Sequence, residues 1–292
     1  MTTADSKPCR SLLYIPGSKE RALEKATGLA ADGIIFDLED AVAPDEKARA
    51  RDAVAETLRV RDYGRRSLLV RINGFDTPWW QEDLATICAT RPEAILLPKV
   101  NGAHDIERLA RLLEAQAGCE DTAIWAMMET PQGVLNAPAI AAAPRMRGMV
   151  LGTNDLAKDL RLRDRPDRAP LLASLSLCLL AARAQGIFCV DGVYNRYQDT
   201  EGLRAECEQG RDLGMDGKSL IHPAQIAVAN AAFAPSEEEV DLARRRIEAF
   251  REAEAKGQGI AVLDGQIVEN LHVAAARALL AQVALIREME EG

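Results

Sequence analysis

Short apolar runs of four to seven residues recur along this chain, and segments with a helical mixture of apolar and charged residues separate them. Runs this short, apolar on both faces and bounded by turn residues, are typical of strands buried inside a parallel sheet. We predict eight such strands. They are SLLYI from Ser11, GIIFDLE from Gly33, SLLVRI from Ser67, AILLPK from Ala94, AIWAMME from Ala123, GMVLGT from Gly148, IFCVDGV from Ile187 and GKSLI from Gly217.

The intervening segments carry helix start signals, such as Pro44 before two acidic residues, Thr130 before Pro131, and Pro223 after His222. Parallel strands joined by helices require right-handed crossovers, and eight of them close into a barrel. The sequence therefore predicts an α/β protein with a (β/α)8 TIM barrel. A Rossmann sheet fits less well, because no GxGxxG follows the first strand.

The pattern changes after about Pro235. Residues Ser236 to Glu239 form a capping box that opens a long charged helix. The segment KGQGIAVLDGQ then supplies glycine turns, and an amphipathic helix is predicted from about Val268 to Met289. We predict a catalytic barrel domain over residues 1–234 and a helical C-terminal arm over residues 235–292, which serves either as a lid or as an oligomer-packing element.

Composition narrows the classes of function. The 292 residues are 48% hydrophobic and carry a formal net charge of −9, which argues against general nucleic-acid binding. No stretch approaches the roughly eighteen apolar residues of a membrane span, and the amino terminus lacks an apolar signal core. Six cysteines occur without a CxxC pair, as in reduced, mostly buried thiols. We expect a soluble, cytoplasmic protein without membrane or nucleic-acid partners.

Charged and amide side chains follow most of the predicted strands directly. Because the carboxyl ends of barrel strands meet at one mouth, these side chains are expected to converge there. Carboxylates crowded at one rim repel one another unless a cation is present. The residues concerned are Asp37, Glu39 and Asp40 after the second strand, Arg71 and Asn73 after the third, Lys99 after the fourth, Glu129 after the fifth, and Asn154 and Asp155 after the sixth.

The ligand types indicate which cation would bind. The three histidines are not spaced as a metal pair and the cysteines lie inside predicted elements, so a zinc site is not expected. Carboxylate ligation favours Mg²⁺, with Mn²⁺ as a substitute, and leaves positions open for substrate oxygens. We predict Glu129 and Asp155 as ligands. A 2-oxo acid could chelate the ion while Arg71 hydrogen-bonds its ketone oxygen.

Seven motifs follow one another from about Arg10 to Ala232. They are CRSLLYIPG, DGIIFDLEDAVAPDEKARAR, LLVRING, ILLPKV, METPQGV, LGTNDLAKDL and GKSLIHPAQI. In these motifs the chain resembles the HpcH/HpaI aldolase and citrate lyase superfamily, in the branch of citrate lyase beta-subunit-like proteins and malyl-CoA or citramalyl-CoA lyases.

This resemblance implies roles for individual residues. Glu129 and Asp155 match metal ligands, Arg71 and Glu129 match substrate-binding residues, and Glu39 and Asp40 match acids that orient the site or bind metal-bound water. Arg21 and Lys25, four residues apart on the first helix, would by themselves be an ordinary solvated face. Together with Arg10, they fall where family members contact the phosphates of coenzyme A. A homotrimer or homohexamer is also implied.

The C-terminal arm departs from the family pattern. In the CoA lyase branch a lid aspartate in a G-x-M-[IV]-D pattern reaches the site of a neighbouring subunit, and the matching stretch here is Gly265 to Glu269. Glu269 keeps the carboxylate with one more methylene. We predict it as the acid that protonates an enolate.

The predicted activity is a Mg²⁺-dependent carbon–carbon lyase that cleaves a 3-hydroxyacyl-CoA thioester of malyl-, methylmalyl- or citramalyl-CoA type to an acyl-CoA and a 2-oxo acid. Three alternatives stay open at this point: a citryl-thioester lyase subunit of a citrate lyase complex, a malyl-CoA-type thioesterase, and a non-catalytic subunit that binds CoA or metal.

Overall fold

A computed structural model describes residues 7–291. Within this range, eight parallel strands form a closed barrel in sequence order, and the first strand pairs with the eighth. The prediction of a (β/α)8 TIM barrel with a helical C-terminal extension is confirmed. The barrel strands are β1 (Ser11–Pro16), β2 (Gly33–Asp37), β3 (Ser67–Arg71), β4 (Ala94–Leu97), β5 (Ala123–Met128), β6 (Met146–Leu151), β7 (Phe188–Asp191) and β8 (Gly217–Leu220).

Helices follow the strands on the outside of the barrel. Several end at glycines with left-handed backbone angles, such as Gly186 and Gly214. The helices of this unit are α1 (Glu20–Lys25), α2 (Lys47–Val60), α3 (Trp80–Cys88), α4 (Ala103–Glu114), α5 (Pro131–Leu135), α6 (Ala137–Ala141), α7 (Thr153–Asp159), α8 (Leu172–Gln185), α9 (Thr200–Leu213) and α10 (Ile226–Phe233), with short 3-10 turns at Ala26–Gly28, Pro44–Glu46, Ala169–Leu171 and Pro223–Gln225.

Alternation along the strands divides the apolar residues between two clusters, because successive side chains of a strand point to opposite faces. Leu12, Ile35 and Leu69 belong to a cluster inside the barrel, whereas their neighbours belong to the larger cluster between the sheet and the helices. Inside, the rings of Trp125 and Phe188 stack with centroids 5.7 Å apart. The barrel is therefore packed with side chains and is not an open pore.

The C-terminal residues form a second compact unit from Ala234 onwards. It consists of α11 (Glu237–Ala255), a hairpin of β9 (Ala261–Leu263) and β10 (Gln266–Val268), and α12 (Asn270–Glu291). The predicted capping box is present, since the Ser236 hydroxyl accepts a hydrogen bond from the Glu239 N–H. Its small core includes Phe250, Val268 and Val273.

All six cysteines are free and buried, as predicted. Burial raises the pKa of the Cys178 and Cys207 thiols to about 12, so these groups stay neutral and unreactive. Among the described residues, none of the helices combines the length and apolar character that crossing a membrane requires.

Candidate active site at the barrel mouth

Six of the nine predicted strand-end residues line one cavity of about 380 Å³ at the carboxyl ends of β2, β3, β5 and β6. The lining side chains from the predicted set are Asp37, Asp40, Arg71, Glu129, Asn154 and Asp155. Each follows an apolar strand whose burial fixes the strand end in place. The structure therefore brings these candidates together.

Arg71 is the centre of the charged cluster. Asp37 and Arg71 are direct register partners on β2 and β3. The guanidinium donates to Asp37 through Nε at 2.7 Å and through Nη2 at 2.6 Å, which fixes the fork in one orientation. Its Nη1 lies 2.9 Å from Glu39 Oε2 and 3.6 Å from Asp40 Oδ2. Burial disfavours the charged guanidinium, but Asp37, Tyr14 and Glu39 together outweigh burial and raise the pKa of Arg71.

Glu39 is a buried carboxylate with an unsatisfied oxygen. Although Oε2 is close to Arg71, it forms no hydrogen bond of acceptable geometry within the described residues. Burial raises the pKa of Glu39 to about 8, opposed by the charge of Arg71 and reinforced by the carboxylates of Glu129, Asp40 and Asp37. A buried acid with a pKa near neutrality can accept and return a proton under physiological conditions.

Glu129 and Asp155 converge on one cation, the ammonium group of Lys99. This Nζ donates to Asp155 Oδ2 and lies 3.6 Å from Glu129 Oε1. Lys99 also donates its backbone N–H to the same Glu129 oxygen at 2.7 Å. Burial raises the pKa of Glu129 in spite of the Lys99 charge. The pKa of Lys99 is raised, because the Asp155 hydrogen bond and the Glu129 charge outweigh the opposing effect of burial.

Local sequence explains how these groups are positioned. Thr130 caps the amino end of α5 by accepting a hydrogen bond from the Gly133 N–H at 2.9 Å, so Glu129 lies between the end of β5 and the helix cap. Lys99 has a left-handed backbone angle, φ 53°, an uncommon conformation for a residue with a side chain. Strained backbone of this kind is concentrated at functional sites.

The acidic loop after β2 is held by a buried lysine that we did not predict. Lys47 Nζ donates to the carbonyls of Leu38 at 2.8 Å and Glu39 at 2.7 Å, and to Asn73 Oδ1 at 2.7 Å. In the sequence, Lys47 lies within PDEKARAR and resembles any lysine of a solvated helix face. The only available signal was its place inside the DLEDAVAPDEKARAR signature.

Arg10 does not reach this mouth. It precedes β1, at the amino end of the barrel, and is 3% exposed. Its guanidinium donates to Asp32 through Nε and Nη2, both at 2.9 Å. We correct the prediction that placed Arg10 with the phosphate contacts, since a residue before a strand lies at the opposite end from residues that follow one.

Arg21 and Lys25 lie on α1, which follows the carboxyl end of β1, and both are exposed. Within residues 7–291 neither has an ion-pair partner. Glu269 lies in the C-terminal unit at the start of α12, where its backbone N–H donates to His272 Nδ1 at 3.0 Å. Its side chain is exposed, and its catalytic role stays a prediction.

The donor set suits a divalent metal ion. Glu129 and Asp155 already share one cationic neighbour, so their oxygens point to a common position. No group of three or more metal-binding His, Cys, Asp or Glu side chains occurs in the described part of the chain. Two carboxylates with positions left for water and substrate are the typical protein contribution to a Mg²⁺ site.

The chain forms a (β/α)8 barrel with a cluster of carboxylates around one arginine at its mouth. The chain belongs to the HpcH/HpaI aldolase/citrate lyase family, whose model matches residues 10–223. It is 61% identical over 279 residues to a (3S)-malyl-CoA thioesterase of Cereibacter sphaeroides strain KD131, covering 96% of each chain. It is 34% identical over 306 residues to the L-malyl-CoA/beta-methylmalyl-CoA lyase of the same strain, also with 96% coverage of each.

A solved relative carries the same architecture. The structure of CitE from Mycobacterium tuberculosis in complex with magnesium, acetoacetate and coenzyme A is 31% identical, with a TM-score of 0.80, and the match covers 96% of this chain and 99% of that one. Magnesium and coenzyme A are therefore ligands of that relative.

These comparisons contradict our main prediction of activity. We expected a carbon–carbon lyase, but the relatives of 61% identity are thioesterases, and the lyases of the malyl-CoA type are only about 34% identical. The prediction was wrong because the strand-end motifs identify the family, and membership of the family does not determine which bond is broken.

Proposed function

We propose that this protein hydrolyses the coenzyme A thioester of a 3-hydroxy dicarboxylic acid of the (3S)-malyl type, releasing the free acid and coenzyme A. The observation that carries the proposal is the 61% identity over 96% of both chains to (3S)-malyl-CoA thioesterases. The charged residues of the mouth support an enzymatic role, because Glu39 is buried beside Arg71 and its pKa is raised to about 8, where a carboxyl group can exchange protons.

Glu39 is the proposed general base. Hydrolysis requires that a water molecule lose a proton as its oxygen attacks the thioester carbonyl carbon. The carboxylate of Glu39 can accept that proton. When the carbon–sulfur bond breaks, the protonated carboxyl can return the proton to the leaving thiolate, so the group ends the cycle as it began.

Arg71 is the proposed substrate-orienting donor. Asp37 occupies Nε and Nη2, which leaves Nη1 as the edge facing the acidic loop. A guanidinium fixed in this way can donate to a substrate oxygen without reorganising during the reaction. Tyr14 supports the orientation, since the Arg71 guanidinium lies 4.9 Å from the centre of its ring.

Glu129 and Asp155 would hold Mg²⁺, and Lys99 would then be free to turn towards the cavity, since its side chain is 34% exposed. When bound, the ion supplies Lewis-acid polarisation of the substrate oxygens that it contacts. Asp40, which is exposed beside Arg71, would contribute negative charge at the entrance.

The distinction between hydrolysis and carbon–carbon cleavage can be measured directly. Purified protein should convert (3S)-malyl-CoA to free thiol and malate in equal amounts, with no glyoxylate and no acetyl-CoA. In water enriched in oxygen-18, the malate should carry one heavy oxygen in the released carboxyl group. Formation of glyoxylate and acetyl-CoA without free thiol would overturn the proposal.

The metal assignment has its own test. Removal of divalent ions should lower the hydrolysis rate, and added Mg²⁺ should restore it in the wild type but not in Glu129→Gln. The matched control is Glu107→Gln on α4, an exposed position away from the mouth. A Glu129→Gln variant that responds to Mg²⁺ like the wild type would place the ion elsewhere.

A further inference from the structure

A second cavity of about 480 Å³ adjoins the mouth and takes no part in the proposed chemistry. We call it the basic pocket. It shares Thr153, Asn154 and Val193 with the mouth cavity, so the start of α7 contributes to both. The segment from Arg161 to Leu171 and the loop after β7 form most of the remaining walls.

The lining of the basic pocket is strongly cationic. Among the described residues that line it, six are basic and two, Asp164 and Glu206, are acidic. The basic residues are Lys158, Arg161, Arg163, Arg165, Arg168 and Arg196. On a chain with a net charge of −9, such a local excess concentrates anions by its field and is not explained by overall composition.

Three of these six basic residues form ion pairs with carboxylates of the protein, and three do not. Arg168 is 7% exposed and pairs with Asp191 and Glu206 at the base of the pocket. The side chains of Lys158, Arg161 and Arg163, in contrast, form no ion pair or hydrogen bond within residues 7–291 and are exposed. Three unpaired cations around one cavity can coordinate an external anion.

Arg161 is placed where a glycine would be expected. The Leu162 N–H donates to the Ala157 carbonyl at 2.9 Å, and the Arg161 N–H donates to the Lys158 carbonyl at 3.0 Å, which is the Schellman pattern at a helix end. The residue at this position takes a left-handed angle, here φ 54°, and glycine adopts it without strain. An arginine at this position is less favourable than glycine, and its side chain lines the pocket.

The other walls are apolar, formed by Leu162, Pro166, Pro170 and Leu171. We propose that the basic pocket binds the phosphate groups of a phosphorylated organic ligand of nucleotide size. Arginine forks match phosphate oxygens in pairs, and the apolar walls suit the organic part of the ligand. The phosphates could belong to the coenzyme A portion of the substrate or to a free nucleotide.

Calorimetric titration of the full-length protein with ADP, pyrophosphate and adenosine tests the proposal. ADP and pyrophosphate should bind and adenosine should not. Arg161→Gly should weaken ADP binding at least about tenfold, because it removes a charged contact, while the melting temperature stays equal or rises as backbone strain is relieved.

The matched control is Arg91→Gly. Arg91 is exposed, follows α3, and has the same left-handed angle of φ 54°, but it does not line the pocket. Its replacement removes the same charge and the same strain, so ADP affinity should remain within about twofold of the wild type. Equal ADP affinities in the two variants would overturn the proposal, and so would tighter binding of citrate than of ADP.

Steady-state hydrolysis of (3S)-malyl-CoA then separates the two sources of phosphate. Competitive inhibition by ADP, with a raised KM in Arg161→Gly, would assign the pocket to coenzyme A. ADP binding with an unchanged KM would assign it to a free nucleotide. Because ADP binding is measured without turnover, absence of hydrolysis would count against the proposed function and not against the pocket.

Discussion

Glu39, the proposed general base, is buried at the barrel mouth, and its burial affects the stability of the protein as well as its catalysis. Its folded pKa of about 8 lies above the value of an exposed glutamate, near 4.3. The folded state therefore favours the protonated form. The contribution of this group to stability is fully present below about pH 4 and is lost as the pH rises towards 8.

We expect Glu39→Gln in metal-free protein to be more stable than the wild type at pH 8, by about 2–4 kcal/mol, because a neutral amide replaces a buried carboxylate. The gain should shrink towards zero near pH 4, where Glu39 is protonated in both states. Hydrolysis should fall by about a hundredfold or more. Denaturant unfolding at several pH values, with Glu107→Gln as the control, checks the stability; a pH-independent difference would contradict the assignment.

At the residue scale, the sequence predicted which side chains meet at the barrel mouth, whereas the activity predicted from it was wrong. Acids and bases directly after apolar strands could be predicted to meet, because the carboxyl ends of barrel strands share one mouth. Lys47 could not be predicted, since a lysine in a charged helix is usually solvated and only the folded loop shows its three acceptors. Arg10 was misassigned although its position before β1 already placed it at the other end.

Lys47 holds a whole loop in place, because its ammonium group donates to the carbonyls of the segment between β2 and α2. Lys47→Met should destabilise the protein by about 2–4 kcal/mol, since two carbonyls and an amide oxygen lose a charged donor. The hydrolysis rate should fall as Glu39 loses its position. Lys256→Met, at an exposed position at the end of α11, is the control. Thermal unfolding and steady-state kinetics measure both effects, and an unchanged kcat would remove Lys47 from the positioning of the loop.

Close approach of β8 to the segment before β1 depends on a glycine. A Cβ atom added at Gly217 would lie 1.7 Å from the Cys9 carbonyl oxygen, so the backbone itself would have to move. We expect Gly217→Ala to destabilise the barrel by about 3 kcal/mol or more. At Gly28 an added Cβ meets nothing within 4 Å, and Gly28→Ala should be neutral or slightly stabilising. Denaturant melts compare the two, and similar midpoints would contradict the expected clash.

Strands with a continuous apolar run could be predicted from the sequence, whereas the shortest strands could not. All eight barrel strands were predicted, because burial on both faces requires a continuous apolar run. The hairpin of β9 and β10 was read only as glycine turns. Each strand has three residues, and Val262 and Ile267 are exposed, so no alternation was visible. The available signal was Asp264-Gly265, whose left-handed angles form the tight two-residue turn.

At the scale of the whole molecule, a buried charge network joins β7, β8, α9 and the segment before α8. Lys218 Nζ donates to Asp191 at 2.9 Å and to Glu206 at 2.6 Å, and Arg168 pairs with the same aspartate at 2.8 Å. Burial would raise the pKa of Asp191, but Lys218 and Arg168 outweigh it and hold the pKa below its usual value. The network is fully buried at Asp191 and Lys218.

Asp191→Asn should lower the free energy of unfolding at pH 7 by about 3–5 kcal/mol, because it leaves Lys218 buried without its full partner. A depressed carboxyl pKa contributes stability above about pH 4 and loses it as the pH falls through the folded value. The difference from wild type should therefore diminish near pH 3. Asp212→Asn, at an exposed position on α9, should change stability by less than about 0.5 kcal/mol. Urea titrations across this pH range measure both, and a constant difference down to pH 3 would contradict the predicted linkage.

The barrel can close only after its last strand, β8, has been synthesised, because β8 pairs with β1. The pairing of Ser11 with Lys218 joins the first strand to the last. During synthesis at about 5–20 residues per second, β1 therefore waits more than about ten seconds for its second neighbour, with one edge unpaired. Pairing between strands so far apart in sequence slows folding, because the conformational entropy of the long intervening loop is lost before the stabilising contacts form. Until β8 is made, the unpaired edge of β1 is open to pairing with other chains, as any strand edge is.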